Sequence, residues 1–241
     1  MIQVFNNTNT LNKKAAEFFI EKAQEAIKKR NKFTVALTGG SSPNGLYQLL
    51  ASSPYKEEID WSKVFVFWGD ERWVPIDDEK SNAGAAYKSF LNHILVPESN
   101  IFPMWKKNVE PEAYALAYEK LLEKHLEDGE VFDLILLGMG DDGHTASLFP
   151  GEEILKEENK KVDAYFLAPQ DMYRITLTAP LINKARKIVF LVFGEKKANA
   201  LYQVVQGERN SNLYPAQLIH PEAGKVIWMV DEKASNRLKL K

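Results

Sequence analysis

The sequence predicts an α/β fold with a doubly wound, mostly parallel sheet and helices on both faces. Short apolar runs of strand length alternate with amphipathic stretches of helical period, as in a parallel sheet covered by helices. No repeat or low-complexity linker interrupts the 241 residues, of which 45% are hydrophobic. We therefore expect residues 1–241 to form one domain, with its ligand beyond the carboxyl ends of the strands.

Six apolar runs are predicted to be strands, because each is short and bounded by polar or turn-forming residues. They are residues 33–38, 64–68, 132–137, 174–178, 188–193 and 226–230. Helices are expected between them. The first covers residues 12–30, whose apolar residues share one face, and the second runs from Pro43 to about Ala51 with Ser42 as its N-cap. The others run from an N-cap at Ser81 to Leu91, and over residues 111–125 and 195–206.

Composition excludes several classes of function. The absence of cysteine rules out disulfides, a thiolate nucleophile and cysteine-based metal sites. The formal net charge is −2 with acids and bases mixed, so no basic block indicates nucleic-acid binding. No apolar run approaches the ~18–20 residues that a membrane span needs, and no signal-peptide pattern is present. We expect a cytoplasmic protein without nucleic-acid or membrane partners; the sequence leaves the oligomeric state open.

Two loops that follow predicted strands contain groups suited to anions. The turn at Gly39, Gly40 and Ser41 lets backbone N–H groups approach a phosphate, although an ordinary strand-to-helix turn would look the same. The second loop contains Asp70, Glu71 and Arg72. Its arginine could bind a phosphate or stabilise an oxyanion, and a local salt bridge is the simpler alternative.

The loop over residues 138–150 is the most informative segment. Its G-x-G-x-x-G pattern does not predict a dinucleotide site, because Asp142 and its neighbour would repel a pyrophosphate and no long helix follows. What remains is an imidazole, His144, two residues from a carboxylate, which suits a general base and its orienting group. A structural histidine is the alternative. A zinc site built with Asp70 fits no closed zinc pattern, so no metal or cofactor is expected.

A fourth region carries positive charge near strand ends. Arg174 begins a predicted strand, and Lys196 and Lys197 stand at the start of a predicted helix. Cations there oppose the helix dipole, which indicates an anionic ligand, although a solvated lysine pair would give the same pattern.

These segments, in this order and spacing, resemble the 6-phosphogluconolactonases of the pentose phosphate pathway. The resemblance runs from about Val35 to Val230, and residues 142–150 are its most specific part. It implies a Rossmann-like fold of the NagB/RpiA/CoA-transferase-like type and a phosphorylated sugar lactone as substrate. The related glucosamine-6-phosphate deaminases have a glutamate where this sequence has Phe149, and a phenyl ring cannot shuttle protons.

The resemblance also implies roles for single residues. Gly39, Gly40 and Ser41 would hold the 6-phosphate, with Arg174 and Lys197 neutralising it. His144 would activate water and Asp142 would orient it, while Arg72 would stabilise charge at the lactone end, with Asp70 positioning Arg72. Ser147 lies outside any G-x-S-x-G elbow and is not expected to be a nucleophile. A deaminase or isomerase and a non-catalytic sugar-phosphate sensor remain as alternatives.

Overall fold

A parallel sheet of six strands forms the centre of the molecule in the computed structural model, which describes residues 1–126, 131–221 and 225–239. Its strands lie in the order β1-β9-β8-β5-β2-β3. Their bounds are β1 Ile2–Phe5, β2 Phe33–Leu37, β3 Val64–Trp68, β5 Leu134–Leu137, β8 Ile188–Val192 and β9 Val226–Asp231.

The connections of this sheet reverse direction between β2 and β5. From β2 the chain moves to β3 at one edge, whereas from β5 it moves towards β8 and β9 on the other side. Because crossovers between parallel strands are right-handed, helices on these two routes cover opposite faces of the sheet. The loops after β2 and β5 therefore diverge at a topological switch point, where open α/β sheets bind ligands.

A second sheet of three antiparallel strands stands beside the first, in the order β4-β7-β6. Its strands are β4 Asp70–Arg72, β6 Val162–Leu167 and β7 Met172–Leu177. Only Gly69 separates β4 from β3. The N–H of Gly69 donates to the carbonyl of Leu37 on β2 (2.8 Å), and its carbonyl accepts from the N–H of Leu177 on β7 (2.9 Å). This one residue thus bonds to both sheets.

Seven α-helices are present among the described residues. They are α1 Thr8–Arg30, α2 Asn44–Leu50, α3 Asn82–Ser89, α4 Pro111–His125, α5 Ala179–Lys184, α6 Ala198–Gln206 and α7 Glu232–Ser235. All side chains of β2, β5 and β8 are buried, as expected for parallel strands covered on both faces. No described helix is long and apolar enough to cross a membrane.

The predicted fold class is confirmed, and the helix over residues 111–125 has the predicted bounds. Ser81 also caps α3 as predicted, by accepting a hydrogen bond from the Gly84 N–H. The prediction for Ser42 is wrong: Pro43 occupies the N-cap position of α2, and no side chain caps that helix. Residues 195–197 form a 3-10 turn before α6, so the predicted helix there is shorter.

Candidate active site

A buried tyrosine holds the start of the loop after β2 in place. The hydroxyl of Tyr47 donates to the Thr38 carbonyl (2.7 Å) and accepts from the Thr38 N–H (3.2 Å). Gly39 follows directly and packs against the amide of Asn82, so closely that a Cβ at position 39 would overlap Asn82 Oδ1. Only glycine fits this close approach. The next two residues, Gly40 and Ser41, are exposed at the rim of the turn.

The loop after β5 brings an imidazole and a carboxylate together. His144 Nδ1 lies 2.6 Å from Asp142 Oδ1, which also accepts the His144 backbone N–H at 3.0 Å. Partial burial of Asp142 opposes its ionisation, but the hydrogen bonds from His144 outweigh burial and hold the pKa of Asp142 below its usual value. The carboxylate therefore fixes the Nδ1 side of the ring and leaves Nε2 as the nitrogen available to a ligand.

Two glycines permit this arrangement. A Cβ on Gly140 would overlap both His144 Nδ1 and Asp142 Oδ1, so a larger residue would displace the pair. Gly143 adopts a φ of +82°, in the left-handed region that favours glycine. The turn is closed by the Gly140 N–H, which donates to the His144 carbonyl at 2.8 Å.

The second sheet contributes two arginines that face each other. In the antiparallel register of β4 and β7, Arg72 lies directly opposite Arg174. Arg72 donates to the carbonyl of Lys80 (2.8 Å) and Arg174 to the side chain of Gln170, yet the Nε atoms of both arginines are buried without a partner. Burial lowers the pKa of Arg174, and nearby Arg72 adds to that effect. Like charges opposite each other are destabilising, so an anion near this pair would be favoured.

Asp70 is bound to other groups than the sequence predicts. Its carboxylate accepts from the hydroxyl of Ser147 (2.6 Å) and lies 3.9 Å from Arg174 Nη1. Its ion pair is thus with Arg174, the arginine of the neighbouring strand, and a role in positioning Arg72 stays a prediction. Ser147 is fully buried and holds this carboxylate, which agrees with its exclusion as a nucleophile.

Glu71 does not form the local salt bridge considered as an alternative. Its carboxylate accepts from the N–H groups of Asn82 and Ala83 (2.7 Å each) and of Arg72 (2.8 Å), and from the hydroxyl of Ser81 (3.0 Å). Glu71 thus binds the start of α3 and holds Asn82 in place. Asn82 in turn donates to the Asp70 carbonyl at 3.0 Å.

These groups surround one cleft of about 250 Å³ at the switch point of the parallel sheet. Its lining contains three cations and one carboxylate among the described residues, so the cleft is suited to an anion. Eight of the nine predicted site residues line it: Gly39, Gly40, Ser41, Asp70, Arg72, His144, Arg174 and Lys197. The ninth, Asp142, supports His144 from outside the lining.

Among the lining residues to which the sequence assigns no role, three contact predicted site residues through their side chains. Asn82 and Gln170 contact Asp70 and Arg174, respectively, and nothing in the sequence pattern marks either position. Phe149 is noted in the sequence only because the related deaminases have a glutamate at this position, yet its ring stacks on His144. In the described part of the chain, no three or more His, Cys, Asp or Glu side chains are arranged to hold a metal ion.

Comparison with known proteins identifies the family. A family model described as glucosamine-6-phosphate isomerases/6-phosphogluconolactonase matches residues 6–228. The chain belongs to this isomerase/lactonase family. Within it, the 6-phosphogluconolactonase of Synechocystis sp. is 39% identical over 242 residues, covering 99% of this chain and 98% of its own length.

Solved structures give the same family. The 6-phosphogluconolactonase of Trypanosoma brucei superposes with a TM-score of 0.85 at 27% identity, covering 99% of this chain and 98% of that chain. A monomeric glucosamine-6-phosphate deaminase superposes with a TM-score of 0.84 at 22% identity, covering 98% of each chain. At that identity the likeness to the deaminase shows only a common fold. One fold therefore serves two chemistries among these proteins.

Proposed function

We propose that this protein hydrolyses 6-phospho-D-glucono-1,5-lactone to 6-phospho-D-gluconate, in the oxidative branch of the pentose phosphate pathway. The observation that carries the proposal is the hydrogen-bonded Asp142–His144 pair at the rim of a cation-rich cleft. Such a cleft fits a phosphorylated substrate, and an oriented imidazole fits water activation. The names of the relatives, 6-phosphogluconolactonases from bacteria and trypanosomes, support the same substrate.

The phosphate is proposed to bind at the glycine turn. Gly39, Gly40 and Ser41 offer backbone N–H groups and a hydroxyl there, and no side chain caps the start of α2. Lys197 and Arg174 line the same cleft and would neutralise the phosphate charge. Lys196 is exposed and does not line the cleft, which favours Lys197 of the two.

His144 is proposed to act as the general base. Its Nε2 takes a proton from water while the water oxygen bonds to the lactone carbonyl carbon, which gives a tetrahedral intermediate with a negative oxygen. Asp142 stabilises the resulting imidazolium. Collapse of the intermediate breaks the bond between that carbon and the ring oxygen, which receives the proton from His144. The product is an open chain with a hydroxyl and a carboxylic acid, which ionises at neutral pH.

Arg72 is proposed to stabilise the negative oxygen of the intermediate. A guanidinium aimed at developing charge acts through a fixed electrostatic field. Because Arg72 lies opposite Arg174 in the sheet, both arginines would act at one side of the substrate. A lactone is already a reactive ester, so positioning and one base suffice without a covalent enzyme intermediate. The cytoplasmic location remains a prediction from the sequence.

The direct test compares the native protein with His144→Asn on freshly prepared lactone, following acid release above the spontaneous rate. Loss of the base is expected to lower kcat by ~10²–10⁴-fold. His93→Asn is the matched control, because His93 does not line the cleft. Equal rates for native protein and His144→Asn would remove His144 from the mechanism, and ammonia release from glucosamine 6-phosphate would establish a deaminase instead.

A further inference from the structure

The ring of Phe149 lies against the imidazole of His144. Their centroids are 4.1 Å apart and the two planes are inclined by 23°, which is a stacked arrangement. Phe149 is 8% exposed and lines the cleft. The ring therefore covers one face of the imidazole at the edge of the site.

One hydrogen bond at Nδ1 does not by itself hold the plane of the His144 imidazole, so a further contact is needed. The hydrogen bond restrains the distance between His144 Nδ1 and Asp142 Oδ1, but the two side-chain torsions of His144 can still change together at that distance. The backbone of Gly140 lies close to the Nδ1 side of the imidazole. The phenyl ring of Phe149 blocks rotations that would tilt the imidazole out of its present plane. Together they determine where Nε2 points in the cleft.

The same phenyl ring also contacts Arg174. The central guanidinium carbon of Arg174 lies 5.5 Å from the centroid of Phe149, within the range of a cation–π contact. Phe149 thus touches both the proposed base and a proposed phosphate ligand. A change of this ring would alter the spacing between two functional groups that lie 30 residues apart in the sequence.

We propose that Phe149 is a positioning residue, which fixes the plane of the His144 imidazole so that Nε2 faces the attacking water. This inference rests on the proposed hydrolysis for its kinetic consequence, whereas the stacking itself can be measured independently. Phe149 would then contribute to the reaction itself, in addition to lacking the acid that the related deaminases have at this position.

The test is Phe149→Leu, which keeps an apolar side chain but removes the aromatic face. Since a misplaced base slows the chemical step while substrate binding persists, we expect kcat to fall about tenfold with KM changed less than about twofold. Thermal unfolding of each variant shows whether the fold is intact. Phe149→Tyr, which keeps the ring, should restore kcat and serves as the second variant if the leucine protein does not fold.

Phe102→Leu is the matched control. Phe102 also lies against a histidine, His125, with centroids 4.5 Å apart, and it does not line the cleft. The chain has only four histidines, so their ring C–H signals can be assigned by NMR. The ring-current shift should be lost at His144 in Phe149→Leu and reduced at His125 in Phe102→Leu, where Phe65 and Phe67 remain near the imidazole. Only the first variant should lose kcat.

Several outcomes would overturn the proposal. An unchanged His144 signal in Phe149→Leu would show that the stack does not form in solution. A lost shift with unchanged kcat would show that the stack does not position the base, and a raised KM with unchanged kcat would make Phe149 a substrate contact instead. If the native protein opens no lactone, the proposed function fails, and the NMR signals still report whether the stack exists.

Discussion

Each end of the parallel sheet holds one buried aspartate beside two arginines, but the charges are paired to different extents. At the amino end, Asp133 binds Arg30 at 2.6 Å and Arg186 at 3.4 Å. The same carboxylate accepts from the backbone N–H and the hydroxyl of Thr34. This aspartate is therefore satisfied by groups within the protein.

The carboxyl end is incompletely paired. Asp70 lies 3.9 Å from Arg174, and Arg72 forms no ion pair among the described residues. Both arginines bury an Nε without a partner. Buried polar groups are normally satisfied, so unsatisfied ones need an explanation. We therefore propose that the amino-end cluster stabilises the fold, whereas the carboxyl-end cluster binds an anion.

The largest expected effect is at the amino end. Asp133→Ala leaves Arg30 and the Thr34 N–H without their acceptor, and Arg186 is partly solvated. We expect the free energy of unfolding to fall by about 2–4 kcal/mol, near the lower range for a broken buried pair. Denaturant titration measures this loss. The kcat/KM of the folded protein should not change, and a large loss of kcat/KM would contradict the division between the two ends.

Arg174→Met tests the other end. The methionine removes the arginine of a long ion pair, and Asp70 keeps its hydrogen bonds from Ser147 and Asn82. We therefore expect the free energy of unfolding to fall by about 1–2 kcal/mol, less than the loss expected at the amino end. Loss of charge-assisted hydrogen bonds to the substrate should lower kcat/KM by about 10–100-fold. Arg186→Met is the matched control at the amino end and should leave kcat/KM unaltered. Comparable activity in both methionine variants would refute an anion site at Arg174.

The remaining prediction concerns Glu71, a fully buried acid at the carboxyl end, and its effect per pH unit is the smallest of the three. Burial raises its pKa to about 7 and outweighs the hydrogen bonds from Ala83, Asn82 and Arg72. Between its unfolded pKa and that value the folded state binds a proton that the unfolded state releases. Stability should therefore fall as pH rises from about 4.5 to 7, by up to about 1.4 kcal/mol per pH unit.

The measurement is the Tm of native protein and of Glu71→Gln across a pH range that spans this window. The glutamine variant cannot ionise at this position, so its Tm should depend less steeply on pH there. Parallel curves for the two proteins would mean that Glu71 stays ionised throughout, and that its hydrogen bonds dominate over burial.

Much of the fold can be predicted from the sequence because parallel strands buried on both faces are continuous apolar runs. Three strands escape prediction for local reasons. The first, β1, has only four residues, too few to show a pattern. β4 consists of Asp70, Glu71 and Arg72, and three charged residues do not give the apolar pattern of a strand. β6 mixes polar and apolar residues and follows the polar segment at residues 151–161. β1 pairs with β9 and β4 with β7, partners far along the chain that no local pattern contains.

The site can be predicted as far as it lies in loops that follow recognisable strands. The glycine turn and the Asp142–His144 pair belong to this class, since both are local in sequence. The opposition of Arg72 and Arg174 depends on the register of β4 against β7, about a hundred residues apart, and could not be predicted. The place of Asn82 likewise depends on tertiary packing, whereas the stack of His144 on Phe149 depends on the conformation of one loop, which the sequence pattern does not reveal.

The bonds of Gly69 to both sheets determine how the cleft can vary. Since the backbone itself joins the floor of the cleft to its arginine-bearing side, the gap between them is set by main-chain geometry. Side chains around the opening can then be exchanged without changing the distance between the two sheets. A scaffold of this kind can acquire a different reaction through its side chains while its two sheets keep their positions.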